Sequence, residues 1–134
     1  FDRYETFSHF SNSVESHRYE LIELLKRLRK KSQKIAGYGA SGRANTIIQY
    51  CGISLEHLDY MIDDAPAKHG FYTPGSHFPI YPGTILSSDK APDYVLVFAW
   101  SFFKEILIRN ETFLKNGGHF ILPLPEIKIY PPIQ

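Results

Sequence analysis

Apolar positions along the chain alternate between two regimes, one with helical spacing and one of short continuous runs. Val14, Leu21, Leu25 and Leu28 recur on one helical face, with Ile22 and Leu24 beside it, which predicts a helix from about Asn12 to Lys31. Asn12 followed by Glu15 has the form of a capping box at its start. The segment Lys34–Gly39 (KIAGYG) then reads as a short strand running into glycine. A helix is predicted over Gly42–Tyr50, with Ala44, Ile47, Ile48 and Cys51 as its apolar positions and Gly52 as its stop. Leu58–Ile62 reads as a second strand, ending at Asp63-Asp64. Residues 65–83 hold four of the nine prolines and three of the nine glycines, which predicts mostly loop, with a short strand at Phe78–Ile80. A helical turn near Thr84–Leu86 follows. Asp93–Ala99 is nearly all apolar, as in strands buried on both faces. Residues 101–115 read as one helix, with Ser101 as N-cap and Asn116-Gly117-Gly118 as its end. His119–Leu122 is the last predicted strand, and a proline-rich tail closes the chain.

Strands alternating with helices predict an α/β domain with a mostly parallel sheet. The expected architecture is a Rossmann-like three-layer domain preceded by an N-terminal helix. With 134 residues and 43% hydrophobic content, the chain suffices for a single domain. Within it, 1–33 form a leading segment and helix, and 34–130 form the α/β core. A formal net charge of +1 gives no general electrostatic case for nucleic acid or an anionic membrane. No apolar run approaches the roughly 18 residues a spanning helix needs. The single cysteine, Cys51, excludes an internal disulfide and fits a reducing, cytoplasmic compartment. Six histidines without ligand spacing predict no metal site. The basic run Lys26, Arg27, Arg29, Lys30 and Lys31 reads as a solvated face at the negative end of the helix dipole. The chain opens at Phe1 on an aromatic-rich stretch, and we expect it to be a piece of a longer protein.

The chemistry centres on Gly37–Asn45 (GYGASGRAN). Gly37 to Gly42 matches G-x-G-x-x-G, after a strand and at the start of a helix, which is the context the motif needs. Glycines at Gly39 and Gly42 let the backbone turn and approach a ligand closely, with Ala40 between them. The following helix aims unpaired amides and its positive end at that ligand. Ser41 adds a hydroxyl, Asn45 lies in the first helical turn, and Arg43 adds a permanent cation that can fork onto phosphate oxygens. The same turn can also serve only to pack a strand on a helix.

Asp63 lies about twenty residues beyond Gly42, where a dinucleotide fold holds an acid for ribose hydroxyls. An NAD(P)- or nucleotide-binding module is therefore one reading. A site that grips the diphosphate of some other nucleotide is another. Lys68 follows in a loop expected at the carboxyl edge of the sheet, as ligand contact or surface charge. Gly75 and His77 belong to a segment (TPGSH) that is an ordinary turn by composition. Trp100, directly after the apolar strand, is placed to stack on a base or sugar, or to roof the core. No nucleophile–base pair is evident, so no catalytic residue is assigned.

The ordered set of motifs resembles a known family. Tyr38-Gly39-Ala40, Asn45-Thr46, Asp63 with Pro66, Lys68 and Gly70, the run Pro74–Ile80, Pro92–Val95, Ala99-Trp100 and Glu105-Ile106 together resemble the C-terminal domain of sugar C-methyltransferases. The resemblance spans roughly residues 12–130. It implies a parent enzyme that uses S-adenosylmethionine to methylate a carbon of a nucleotide-linked keto-deoxysugar. It also implies a zinc-binding domain and a methyl-donor-binding domain upstream in the same chain, with no cofactor bound by this domain. The nucleotide-sugar, expected to be a thymidine diphosphate sugar, would then contact Gly39, Ala40, Ser41, Gly42, Arg43, Asn45, Asp63, Lys68, Gly75, His77 and Trp100. The isolated piece is expected to be inactive. The chain departs from the family's usual pattern at Ser41-Gly42-Arg43, where Pro, a small residue and Lys are common. It departs again at Asp64, where a basic residue is common and an acid makes the pocket more acidic, and at Ser101, which replaces a frequent Asn.

Overall fold

A computed structural model describes residues 18–39, 42–123 and 126–133, apart from the side chains of Gly42, Arg43 and Trp100. The expected capping box at Asn12 and Glu15 lies outside the described residues, as do Ala40 and Ser41.

Helix α1 covers 18–30 among the described residues, followed by β1 (Ile35–Tyr38), α2 (Gly42–Cys51), β2 (Tyr60–Ile62) and β3 (Ile80–Tyr81). The chain continues through β4 (Tyr94–Val97), α3 (Phe103–Arg109), α4 (Glu111–Lys115), β5 (His119–Leu122) and β6 (Lys128–Tyr130). Short 3-10 turns lie at Pro66–Lys68, Gly83–Ser87 and Trp100–Phe102. The six strands form one sheet in the order β3-β2-β1-β4-β5-β6. All neighbours run parallel except β5 and β6, which are antiparallel. This is the Rossmann-like α/β architecture that the alternation predicts.

Side-chain alternation along the strands divides the core into two layers. On one face Ile35, Met61, Leu96, Phe98 and Ile121 pack with Leu21, Leu25 and Leu28 of α1 and Ala44 and Ile48 of α2. On the other, Ala36, Tyr38, Ile62, Val95, Val97 and Phe120 pack with Leu86, Ile106 of α3 and Phe113 of α4. Both β1 and β4 are buried along their whole length, as the middle strands of a sheet covered on both faces must be.

Helix ends follow the predicted chemistry. At Gly52 (φ 71°) the Ile53 N–H returns to the Ile48 carbonyl at 2.9 Å, the Schellman arrangement. Gly117 (φ 91°) does the same for α4, with the Gly118 N–H on the Phe113 carbonyl at 2.9 Å. α1 ends on an identical pattern without glycine. Ser32 takes the left-handed position (φ 62°), and Gln33 N–H reaches the Leu28 carbonyl at 3.0 Å.

Four expectations are corrected. The helix expected over 101–115 is split, because the buried Asn110 turns its side-chain amide back onto the Ile106 carbonyl at 2.8 Å and its backbone leaves helical geometry. Ser101 is not an N-cap, since 101 lies within a 3-10 turn and Phe102 holds the cap position without a side-chain bond. The proline-rich tail contains a sixth strand, β6, whose Ile129 packs on the core beside Ile127. The basic run of α1 is not uniformly solvated. Arg29 clamps Asp59 through two bonds of 2.9 Å and donates to the Glu56 carbonyl at 3.2 Å, which ties the end of α1 to the entry of β2.

That entry turn also carries His57, 5% exposed, whose Nδ1 accepts the Ser54 N–H at 3.0 Å. Protonation would destroy the acceptor. Burial, the largest influence, lowers the His57 pKa below its ordinary value of 6.5, against a smaller upward pull from Glu56. A base whose folded pKa is depressed stabilises the fold fully above its unfolded pKa and loses that contribution as pH falls through the interval between the two values. We therefore predict that the melting temperature falls as pH is lowered below about 6.5. In His57→Asn the slope of melting temperature against pH across that interval should flatten, as followed by circular dichroism.

Candidate functional site

Strand order reverses between β1 and β4. From β1 the chain moves outward through β2 and β3, then returns to β4 on the opposite side. Loops leaving β1 and β4 must diverge there, so a crevice opens at the carboxyl ends of the strands. A cleft of about 730 Å³ occupies this place. Its floor and walls come from the end of β1 (Tyr38, Gly39), the end of β2 (Asp63, Asp64), the end of β4 (Phe98, Ala99), the 3-10 turn (Ser101, Phe102) and α3 (Ile106, Arg109).

Gly39 has φ 99°, and its N–H donates to the Ile62 carbonyl at 2.7 Å. A Cβ there would lie 3.0 Å from the Ala99 Cβ. Glycine is thus required twice over, by the left-handed backbone and by the approach of the β4 loop. The turn leads into α2, whose first residue, Gly42, and Arg43 stand at the helix start. Asn45 is half-buried one turn in.

Asp63 and Asp64 are adjacent in sequence but serve different faces. Asp63 Oδ1 accepts the Ala65 N–H at 2.8 Å, and Oδ2 lies 3.4 Å from Lys68 Nζ. Two residues expected to contact ligand therefore contact each other. The adjacent His69 ring meets the Asp63 carbonyl at 2.6 Å. Asp64 accepts the Tyr38 hydroxyl through both oxygens, at 2.7 and 2.9 Å, and pairs with Arg109 Nη1 at 3.1 Å. Burial pushes the Tyr38 hydroxyl's pKa well up, and its hydrogen bond to Asp64 and that carboxylate's charge push it further. Tyr38 is accordingly a neutral donor.

Gly75 (φ 76°) and His77 (φ 57°) occupy the tip of a hairpin. Thr73 N–H meets the Phe78 carbonyl at 2.8 Å, and Thr73 Oγ1 accepts the Phe78 N–H at 2.9 Å. This hairpin precedes β3, so its tip lies beyond the amino end of that strand, close to Gln49 of α2. Neither residue lines the cleft. Trp100 begins the 3-10 turn that follows β4.

Among the described residues no group of three or more His, Cys, Asp or Glu could hold a metal ion. None of the described helices is long and apolar enough to cross a membrane.

The sequence pattern of the C-methyltransferase C-terminal domain matches residues 1–125. The chain belongs to this family. It is also 32% identical over 123 residues to the C-methyltransferase NovU of Streptomyces niveus, a stretch that covers 92% of this chain and 29% of that protein. The chain thus spans less than a third of the length of the curated relative it matches.

Within this C-methyltransferase C-terminal domain, several cleft residues escape motif reading. Phe102 is 58% exposed at the rim. Arg109 stands at the last turn of α3, complementing the helix dipole. Its cation pairs with the Asp64 carboxylate at 3.1 Å. The available signal was the helical spacing of Phe102, Ile106 and Arg109, which sets one face of the predicted helix toward the strand ends.

The Gly39 geometry yields a direct expectation. Gly39→Ala should destabilise the fold by about 1–3 kcal/mol, from backbone strain and the Ala99 contact, and this is measurable by urea unfolding. A stability within error of the parent would refute the requirement.

Proposed function

We propose that this domain is the substrate-holding part of a longer S-adenosylmethionine-dependent C-methyltransferase, and that its substrate is a nucleotide-linked keto-sugar. The observation that carries this reading is the cleft at the strand-order reversal, set beside the Gly39 turn in a domain of this family. A diphosphate at the turn would meet the amides that open α2 and the Arg43 guanidinium. The sugar and base would extend into the cleft, which Phe98, Phe102 and Ile106 line together with Asp63, Asp64 and Arg109.

The chemistry explains why a remote grip matters. Carbon becomes nucleophilic only when a neighbouring carbonyl lets it form an enolate, so a base must meet a rigidly held keto-sugar. Binding energy from the diphosphate, far from the reacting carbon, supplies that orientation. S-adenosylmethionine, when bound, supplies an electrophilic methyl group on sulfur. The residues here do not fit that donor. Asp63, the acid in the position for an adenosine ribose, is only 13% exposed and already takes the Ala65 N–H and Lys68. On this reading the donor and the base belong to the part of the parent enzyme outside this chain. The same engagement of Asp63 argues against a stand-alone NAD(P)-binding module. A micromolar calorimetric signal with NAD or NADH would favour that module instead.

The test uses the full-length enzyme. Titration with thymidine diphosphate sugars should show saturable binding. Arg43→Ala should weaken it about tenfold or more, the equivalent of about 1.5–3 kcal/mol for a charge-assisted bond. Full-length protein that binds no sugar nucleotide would overturn the proposal. Activity unchanged in Arg43→Ala would reduce the turn to a packing element.

A further inference from the structure

Arg109 is the one cation among the described residues lining the cleft. Its Nη1 bond to Asp64 is the only hydrogen bond its side chain makes to the described residues. The guanidinium carries five donors in a planar fork, so most of its capacity faces outward. Its side chain is 55% exposed, and ordinarily a side chain that open has no fixed position.

Here the position is fixed from below. Asp64 is held by the Tyr38 hydroxyl on both oxygens. Tyr38 is itself only 3% exposed and belongs to β1 in the middle of the sheet. Asn110, 8% exposed, lines one small cavity with Tyr38, Asp64 and Arg109, and its amide donates to the Ile106 carbonyl. Gly83 closes over the same group, where a Cβ would come within 3.1 Å of Asp64 Oδ1 and 3.2 Å of the Tyr38 oxygen. A chain of bonds thus runs from the buried centre of the sheet to one exposed cation. Asp64 cancels much of that cation's long-range field, yet leaves its donors directed into the cleft. Such a group selects an oxygen-rich anion by geometry more than by bulk charge.

We propose that Arg109 is a second substrate-binding cation, meeting the anionic diphosphate from the α3 side of the cleft, and that Asp64 is the residue that positions it. This rests on the reading of the cleft as the site of a nucleotide-linked substrate. Helices α2 and α3 pack on opposite faces of the sheet, so the amides that open α2 and the Arg109 guanidinium would reach the diphosphate from two sides. The diphosphate would be clamped between two elements that the sheet holds apart.

The experiment compares full-length parent enzyme with Arg109→Ala, Arg109→Lys and Asp64→Asn. Binding of thymidine diphosphate and of thymidine is measured separately by calorimetry, with kcat and KM for the sugar nucleotide alongside. Arg109→Ala should weaken thymidine diphosphate about tenfold or more while leaving thymidine unchanged. Arg109→Lys should recover part of the loss, because it keeps the charge but not the fork. Asp64→Asn should raise KM with kcat and melting temperature little altered, as expected of a group that aims another. Wild-type enzyme that binds thymidine diphosphate, with an Arg109→Ala variant that binds it equally well, overturns this inference alone. Equal loss of thymidine and thymidine diphosphate in Arg109→Ala also overturns it, since that is a packing effect. Wild-type enzyme that binds no nucleoside diphosphate overturns the reading beneath it.

Discussion

The middle of β1 has no room for a side chain. A Cβ on Gly37 would overlap the Met61 sulfur from β2 and press within 2.9 Å of the Phe98 ring from the β4 exit. With glycine there, Met61 and Phe98 meet across β1 and seal the α1–α2 side of the core. Two residues later, Gly39 allows the Ala99 loop to come equally close. These two contacts bring the exits of β1, β2 and β4 together at one edge. The cleft exists because the chain then diverges, toward α2 on one face and toward α3 on the other. A larger residue at Gly37 would push the flanking strands' side chains outward and distort the edge that the cleft is built on.

The same edge separates two neighbouring carboxylates. Residues that follow one another at a strand end point to opposite faces. Asp63 therefore turns to its own loop and Lys68, while Asp64 turns to Tyr38 and Arg109. Each acid is matched by its own cation, Asp63 by Lys68 and Asp64 by Arg109.

Much of the fold was legible because its signals are local. The buried runs at Ile35–Tyr38 and Tyr94–Val97, the glycine stops at Gly52 and Gly117, and the Leu21, Leu25, Leu28 stripe each announce one element. The break at Asn110 was not legible, because an asparagine in a helical pattern is unremarkable until burial directs its side-chain amide onto the Ile106 carbonyl. β6 was hidden by the surrounding prolines, although Ile127 and Ile129 alternate with polar partners as an edge strand should. At the candidate site, the glycine turn and Asp63 were readable as motifs. Their pairings were not, since nothing in the sequence says that Lys68 spends its charge on Asp63, or that the hairpin carrying Gly75 and His77 turns toward α2 and away from the cleft.

Asn110 also links the fold to the site. If 101–115 had formed one straight helix, Arg109 would sit in its interior, with its direction set by helical spacing alone. Instead α3 ends at Arg109, one residue before the break. The bond from Asn110 to the Ile106 carbonyl caps that end from within, and Asn110 lines one cavity with Tyr38 and Asp64. One buried hydroxyl orients the carboxylate and, through it, the guanidinium, while Asn110 sets where the helix ends. A sequence break that looks like a loss of regularity is a buried asparagine whose amide is satisfied on a backbone carbonyl of its own helix. Its outward consequence is a single cation held at the rim of the cleft.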